Sequence, residues 1–152
     1  MPHRPLSALF AISVVFACTS CSSSSGTGSS TAPPTVTQTI GPEGGSIVVD
    51  GATVTFPKNA LGAPKSITIS ATDTVPEGYV ALSRVFKCEP SGTEFSQPVT
   101  MQMPFADDGK SATMFWSAGS DPTFKDVGGS VQSGTMSATV QHFSSGFIGR
   151  KK

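Results

Sequence analysis

The amino-acid sequence predicts an all-β domain, either a sandwich or a barrel, behind an export signal and a flexible linker. After Gln38, short apolar runs alternate with polar residues at a period of two and are separated by Gly and Pro. No window has apolar residues at helical spacing, and residues 58–61 make at most one helical turn. The chain has 152 residues, 16 Gly, 12 Pro and 13% charged side chains, which excludes coiled coils, long helical bundles and multidomain enzymes.

The N-terminus has the pattern of a lipoprotein signal peptide, which we assign to residues 1–17. Arg4 precedes an apolar run that ends at Ala17 and is too short to span a bilayer, for which about 20 residues are needed. The sequence Val-Val-Phe-Ala-Cys ending at Cys18 resembles a bacterial lipobox, in which that cysteine becomes the acylated first residue. Cys21 is the alternative acylation site, and an ordinary secretory signal cleaved near Ala17 is the other alternative.

An acylated Cys18 predicts an exported protein that is lipid-anchored to a bacterial membrane. Each buried methylene contributes about 0.8 kcal/mol, so several acyl chains hold the protein on the membrane without spanning it. Thr19 stands where an aspartate would retain an enteric lipoprotein at the inner membrane. We therefore expect outer-membrane sorting, with the domain facing the periplasm or the exterior.

Residues 18–38 have the composition of a disordered linker. Ser and Thr make up twelve of the twenty positions from 19 to 38, and apolar residues are almost absent. Such a segment buries too little surface to offset the entropy lost on ordering. As a random coil it would reach roughly 25 Å from the membrane.

The period-two alternation predicts the strands of the domain in order. Runs 47–49 and 52–56 flank Asp50-Gly51, a pair suited to a type I′ hairpin turn. Alternating segments 67–71 and 99–105 read as half-buried antiparallel strands. Further strands are expected at residues 85–89, 112–116, 131–132 and 135–143.

Five segments, taken in order, resemble the ZU5 domain of ankyrins, tight-junction scaffold proteins and netrin receptors. They are 44–47 (GGSI), 54–61 (VTFPKNAL), 85–92 (VFKCEPSG), 95–100 (FSQPVT) and 142–144 (HFS). The resemblance covers about residues 39–149 and implies that residues 39–152 form an antiparallel two-sheet β-sandwich used as an interaction module. The sequence departs from the family pattern at Lys58-Asn59, which replace the family's usual Pro-Gly. It also has no companion or death domain after the resemblance, so we do not expect the adaptor roles of the eukaryotic members.

The resemblance also implies a candidate for self-cleavage, because some members of the family cut themselves within a His-Phe-Ser tripeptide. Ser144 would attack the Phe143 carbonyl and His142 would act as its base. In a regular strand the first and third of these side chains lie roughly 6.5 Å apart along the axis, beyond hydrogen-bond reach, so a kink or bulge is required. The structural alternative is that His142 ends the apolar face of a strand.

Little else in the sequence suggests chemistry, and we expect no cofactor and no metal. His142 is the one histidine beyond the signal peptide, and with Cys88, a candidate core residue, it cannot supply a zinc site. Residues 107–109 suit a turn better than a calcium loop. Trp116 suits the core better than a sugar-stacking platform. The net charge is zero and residues 150–152 read as a solvated basic tail, so no nucleic-acid partner is expected.

These observations predict a membrane-anchored lipoprotein of the cell envelope with one β-sandwich interaction module. We expect a monomer whose partners are the membrane, through the lipid, and an envelope or cell-surface protein. Edge strands and the loops around residues 73–80 and 119–129 are the expected contact surfaces. The alternative is a self-processing domain that cleaves the Phe143–Ser144 bond. The sequence does not favour an enzyme that acts on other molecules, because one histidine without an acid to orient it is not enough to form a catalytic site.

Overall fold

The computed structural model describes residues 32–118 and 123–152 of the chain. This part contains twelve strands and no helix, hence none long and apolar enough to cross a membrane. The predicted signal peptide, Cys18, Cys21 and the linker up to residue 31 lie outside the described residues. The strands are β1 (Thr35–Ile40), β2 (Gly45–Val49), β3 (Ala52–Phe56), β4 (Lys65–Thr72), β5 (Tyr79–Ala81), β6 (Val85–Glu89), β7 (Glu94–Pro104), β8 (Thr113–Ser117), β9 (Phe124–Gly128), β10 (Ser130–Gln132), β11 (Thr135–His142) and β12 (Ser145–Lys151).

The strands form two antiparallel sheets packed as a sandwich, so the predicted fold class is confirmed. The seven-stranded sheet has the order β1-β4-β6-β12-β8-β9, with β5 also paired to β12. The five-stranded sheet has the order β10-β11-β7-β3-β2. Strand β12 is central, since β8 lies along one side while β6 and β5 share the other.

The main core lies between the sheets and is built by the alternation seen in the sequence. On β7, Val99, Met101 and Met103 are fully buried while the residues between them face outward. Strand β11 repeats this pattern with Met136, Ala138 and Val140. The turn between β2 and β3 has positive φ at both Asp50 (48°) and Gly51 (78°), as a type I′ turn requires.

A second apolar cluster covers the outer face of the seven-stranded sheet. Val85, Phe115 and Phe147 are buried there, with Tyr79 and Phe124 packed against them. The Tyr79 ring lies 4.9 Å from the Phe115 ring and 5.4 Å from the Phe147 ring. The next residue along β12, Ile148, belongs to the main core, so this strand is buried on both faces.

Several boundaries differ from those predicted. Residues 35–38, which we assigned to the linker, form the first part of β1 and pair with β4. Strands β5, β9 and β12 were not predicted, and the segment expected at 135–143 ends as a strand at His142. Residues 58–61 form a turn and a bend, which agrees with the prediction of at most one turn there. The predicted basic tail is also wrong at two positions, because residues 150 and 151 belong to β12.

Candidate functional site

The His-Phe-Ser tripeptide lies where the chain crosses from one sheet to the other. His142 is the last residue of β11 in the five-stranded sheet, and Ser145 is the first residue of β12 in the seven-stranded sheet. The pairing of β11 with β7 shifts register between Val140 and His142. The irregular backbone that self-cleavage would require is therefore present next to the tripeptide.

Backbone hydrogen bonds hold the Phe143–Ser144 peptide on both sides. The N–H of Phe143 donates to the Thr93 carbonyl over 2.8 Å, and the N–H of Gly92 donates to the Phe143 carbonyl over 2.8 Å. The Ser144 carbonyl accepts the N–H of Cys88, also over 2.8 Å. The carbonyl that Ser144 would attack is thus polarised by one preorganised N–H donor, the kind of group that stabilises a developing oxyanion.

The Ser144 hydroxyl is buried and faces a second hydroxyl. Ser144 is 2% exposed, and its Oγ lies 2.5 Å from the Oγ of Ser117, so the two share a hydrogen bond. Ser117 Oγ also accepts the N–H of Ser145 over 3.2 Å. Ser117 is itself 4% exposed. The candidate nucleophile is therefore held by the end of β8, a contact that the sequence analysis missed.

The same residue also determines which nitrogen of His142 carries a proton. His142 Nε2 lies 3.1 Å from the Ser117 carbonyl oxygen. A carbonyl oxygen can only accept, so Nε2 must donate, and in the neutral ring Nδ1 holds the lone pair. In this arrangement only Nδ1 can act as a base. The backbone is fixed as well, since Trp116 Nε1 donates to the His142 carbonyl over 3.1 Å.

The middle residue of the tripeptide is part of the core. Phe143 is fully buried, and its ring meets those of Phe56 and Phe95 edge-on at centroid distances of 5.7 Å and 4.8 Å. Each such aromatic pair adds to the stability that burial alone provides. His-Phe-Ser thus has a structural role here whether or not the bond is ever cut.

A depression of about 280 Å³ opens beside the histidine and is lined by Glu94, Phe95, Gln141 and His142. Glu94 stands directly opposite His142 in the β7–β11 pairing. The His142 side chain is half-buried. Water can therefore reach the neighbourhood of the histidine from this side, whereas the Phe143 and Ser144 side chains are closed off from solvent.

A larger groove of about 570 Å³ lies at one end of the sandwich around Arg84. Arg84 donates to both carboxylate oxygens of Asp73 (2.7 and 2.8 Å) and to Asp50 (3.1 Å), which ties the β2–β3 turn to the loop after β4. The hydrogen bonds from Arg84 lower the pKa of Asp73 below its ordinary range. Apolar side chains, including Leu82 and Phe105, line the rest of this groove.

The remaining residues singled out in the sequence take structural positions. Cys88 is fully buried, and desolvation raises the pKa of its thiol to about 12. Trp116 is 3% exposed and packs in the core, so it offers no sugar platform. Asp107 accepts the N–H of Gly109 and closes a turn. In the described ranges, no group of three His, Cys, Asp or Glu residues could hold a metal ion.

Comparison with known proteins identifies the family to which this sandwich is related. Residues 36–116, which are 81 of the 152 residues, match the family model described as the ZU5 domain. The match runs from β1 to β8 and ends before the His-Phe-Ser tripeptide. No curated protein matches the chain.

Proposed function

This chain belongs to the ZU5 domain family, and from that premise we propose that it is a lipid-anchored protein of the cell envelope whose β-sandwich binds another protein. The observation that carries the proposal is the family match over residues 36–116, which the two-sheet architecture supports. A sandwich of this kind offers edge strands and end loops as contact surfaces.

The lipobox-like sequence ending at Cys18 supports the anchor. Sixteen residues, 19–34, separate this cysteine from the first strand, which begins at Thr35. Their Ser- and Thr-rich composition favours a flexible spacer that lets the domain reach partners roughly 20 Å from the membrane. Cys21 remains the alternative attachment point.

Edge strands are the surfaces best suited to a protein partner. Strands β2 and β9 lie at edges of the two sheets, and an extended partner segment can add to such an edge through backbone hydrogen bonds. Each carries an exposed apolar side chain, Val48 (59% exposed) on β2 and Val127 (38% exposed) on β9. These side chains would provide the apolar contacts that accompany strand addition.

Crosslinking in cells tests the interaction. A photoreactive amino acid is placed at Val48 or at Val127, and at the exposed loop residue Lys110 as the matched control. A discrete adduct of defined mass at one edge, and none at Lys110, is the expected result. If both positions give only the background seen at Lys110, the proposal that the β2 and β9 edges bind a protein partner is overturned.

Intact-mass spectrometry of the membrane-extracted chain tests the anchor separately. We expect a chain that begins at Cys18 and carries added acyl mass, which Cys18→Ser abolishes. Loss of the acyl mass in Cys21→Ser instead would move the attachment to that residue. An unmodified chain beginning near residue 18 would exclude the lipid anchor.

A second candidate function is cleavage of the Phe143–Ser144 bond by the chain itself. It is favoured by the buried Ser144 hydroxyl next to a Phe143 carbonyl that already accepts the Gly92 N–H. In this reaction Ser144 Oγ attacks the carbonyl carbon, the C–N bond breaks and the acyl group moves to oxygen, with the amine taking a proton. Water then hydrolyses the ester, which regenerates the hydroxyl and leaves Phe143 as a carboxylate. His142 would accept the hydroxyl proton through Nδ1, the nitrogen that does not bond the Ser117 carbonyl.

Denaturing mass analysis tests this reaction. Cleavage would give a nine-residue C-terminal fragment beginning at Ser144, absent from Ser144→Ala and retained in Ser145→Ala, which keeps its backbone N–H. A purified wild-type chain that runs as one intact species after prolonged incubation excludes self-cleavage.

A further inference from the structure

The outer face of the five-stranded sheet carries a groove of about 480 Å³ that is separate from the tripeptide and from the Arg84 groove. Hydroxyl and amide side chains line it almost completely. They come from β3, β7, β10, β11 and the adjoining turns: Thr53, Gln102, Ser130, Gln132, Ser133, Thr135 and Ser137, with Gly51 at one end. We call this set the hydroxyl–amide groove. Its volume falls within the range typical of ligand sites, about 300–1,000 Å³.

Strand register places these side chains side by side. Thr53 is opposite Gln102, Gln102 is opposite Ser137, and Ser137 is opposite Ser130. Directly opposed residues in an antiparallel sheet have side chains about 5 Å apart on the same face. The groove therefore has a continuous polar row that crosses four strands.

The sheet that bears this groove is almost without charge. Glu94, at the far end of β7 from the groove, is the one charged residue in β2, β3, β7, β10 and β11. The strands of the other sheet contain seven charged residues, Lys65, Lys87, Glu89, Lys125, Asp126, Arg150 and Lys151. The charged residues of the strands are thus concentrated in one sheet, and the sheet that bears the groove is nearly neutral. A charged partner would gain no electrostatic attraction on this face.

The polar side chains of the groove are also unengaged. Within the described part of the chain, none of the seven forms a side-chain hydrogen bond or ion pair. On the outer face of the other sheet, by contrast, Thr37 and Thr68 share a hydrogen bond of 2.8 Å, and Lys87 pairs with Glu89. Five hydroxyls and two amides are therefore free to donate and accept toward a ligand.

We propose that the hydroxyl–amide groove binds a segment of a neutral polysaccharide. Sugar hydroxyls, like the groove side chains, both donate and accept hydrogen bonds, and a neutral chain matches an uncharged face. A protein partner would be expected to find a buried apolar or aromatic anchor, whereas the groove has none. The groove adjoins the β2 edge, because Val48 stands directly opposite Thr53, whereas it shares no lining residue with the β9 edge.

The absence of an aromatic ring from the groove lining limits the affinity, because no stacking contact adds to the hydrogen bonds. Binding is therefore expected to be weak at a single groove and to become effective on a long polymer, where many sites are offered at once. Many lipid-anchored copies on one membrane would bind such a polymer at several sites at once, which raises the overall avidity.

Affinity electrophoresis of the full chain tests the proposal. Gels contain a neutral polymer (hydroxyethyl cellulose, dextran or soluble starch) or the anionic polymer alginate. We expect retardation by at least one neutral polymer and none by alginate. Gln102→Glu places a charge in the centre of the groove and should weaken binding roughly tenfold. Gln38→Glu makes the same change on β1 of the other sheet and should leave binding unaltered.

Three results would overturn the proposal. One is the lack of retardation by all three neutral polymers, and another is equal retardation of wild type and Gln102→Glu. The third is a concentration-dependent dimer in sedimentation velocity that Gln102→Glu abolishes, because the groove would then be a contact between copies of this chain.

Discussion

Replacing Ser117 by alanine should destabilise the domain through two hydrogen bonds that meet at one oxygen. Ser117 Oγ accepts the Ser145 N–H over 3.2 Å and shares a hydrogen bond of 2.5 Å with Ser144 Oγ. The change removes a small buried group without adding bulk, so the backbone crossing between the sheets should persist. The loss of stability then reports on these contacts.

The two hydrogen bonds of Ser117 determine how much stability Ser117→Ala removes. An N–H left without its acceptor in a partly buried position costs about 1–3 kcal/mol, and a lost neutral hydrogen bond costs about 1 kcal/mol. Ser117→Ala should therefore lower the free energy of unfolding by about 2–4 kcal/mol. In a Ser144→Ala background the shared bond is already gone, so the same substitution should cost about 1 kcal/mol less.

Urea unfolding of the two single variants and the double variant measures this coupling. Ser145→Ala keeps its backbone N–H and serves as the control, with an expected change within about 0.5 kcal/mol. If Ser117→Ala lowers the free energy of unfolding equally in both backgrounds, the hydroxyls of Ser117 and Ser144 are not hydrogen-bonded to each other.

Three further predictions concern the rest of the domain. Gly146→Ala would place a Cβ 2.1 Å from the Trp116 ring and should cost about 1–3 kcal/mol or more in thermal unfolding, whereas Gly62→Ala, with open space around it, should change stability by about 1 kcal/mol or less. The Cys88 thiol, with its pKa raised to about 12 by burial, should resist alkylation in the native protein and react in urea, read by mass on the peptide that contains it. Arg84→Met should raise the pKa of Asp73, measured by NMR titration, because the substitution removes the hydrogen bonds that lower it. Since this pKa is lowered in the folded state, Arg84→Met should destabilise the domain most at neutral pH, and the loss of stability should fade in acid.

Most of the strands that could be predicted from the sequence have one buried face, although β8, with Phe115 in the outer cluster and Trp116 in the main core, was predicted as well. Strands β4, β7 and β11 alternate because one side meets the core and the other meets solvent. Strand β12 lacks this pattern, since Phe147 packs in the outer cluster and Ile148 in the main core. Strand β1 contains only Val36 and Ile40 as apolar residues, so its composition resembles that of the linker. Strand β5, with three residues, is too short for a period to appear.

The candidate site could be predicted only where its members are adjacent in sequence. His142, Phe143 and Ser144 form a contiguous motif, but Ser117 lies 25 positions before the histidine it contacts. It reaches the site because β8 pairs with β12 just beyond the crossing between the sheets. The hydroxyl–amide groove is nonlocal in the same way, since its row is assembled by the register of four strands and no single strand shows it.

The position of β12 determines how self-cleavage could be observed. Four residues of β12 pair with β8, while its other side pairs with β6 and β5, and Phe147 and Ile148 are fully buried. A cut after Phe143 would therefore leave the fragment held by three neighbouring strands and by both apolar clusters. The edge strands and the hydroxyl–amide groove belong to other parts of the fold, so binding would be the same before and after the cut. Assays of binding or shape under native conditions should therefore not detect the cleavage. Only a denaturing measurement distinguishes a cleaved domain from an intact one.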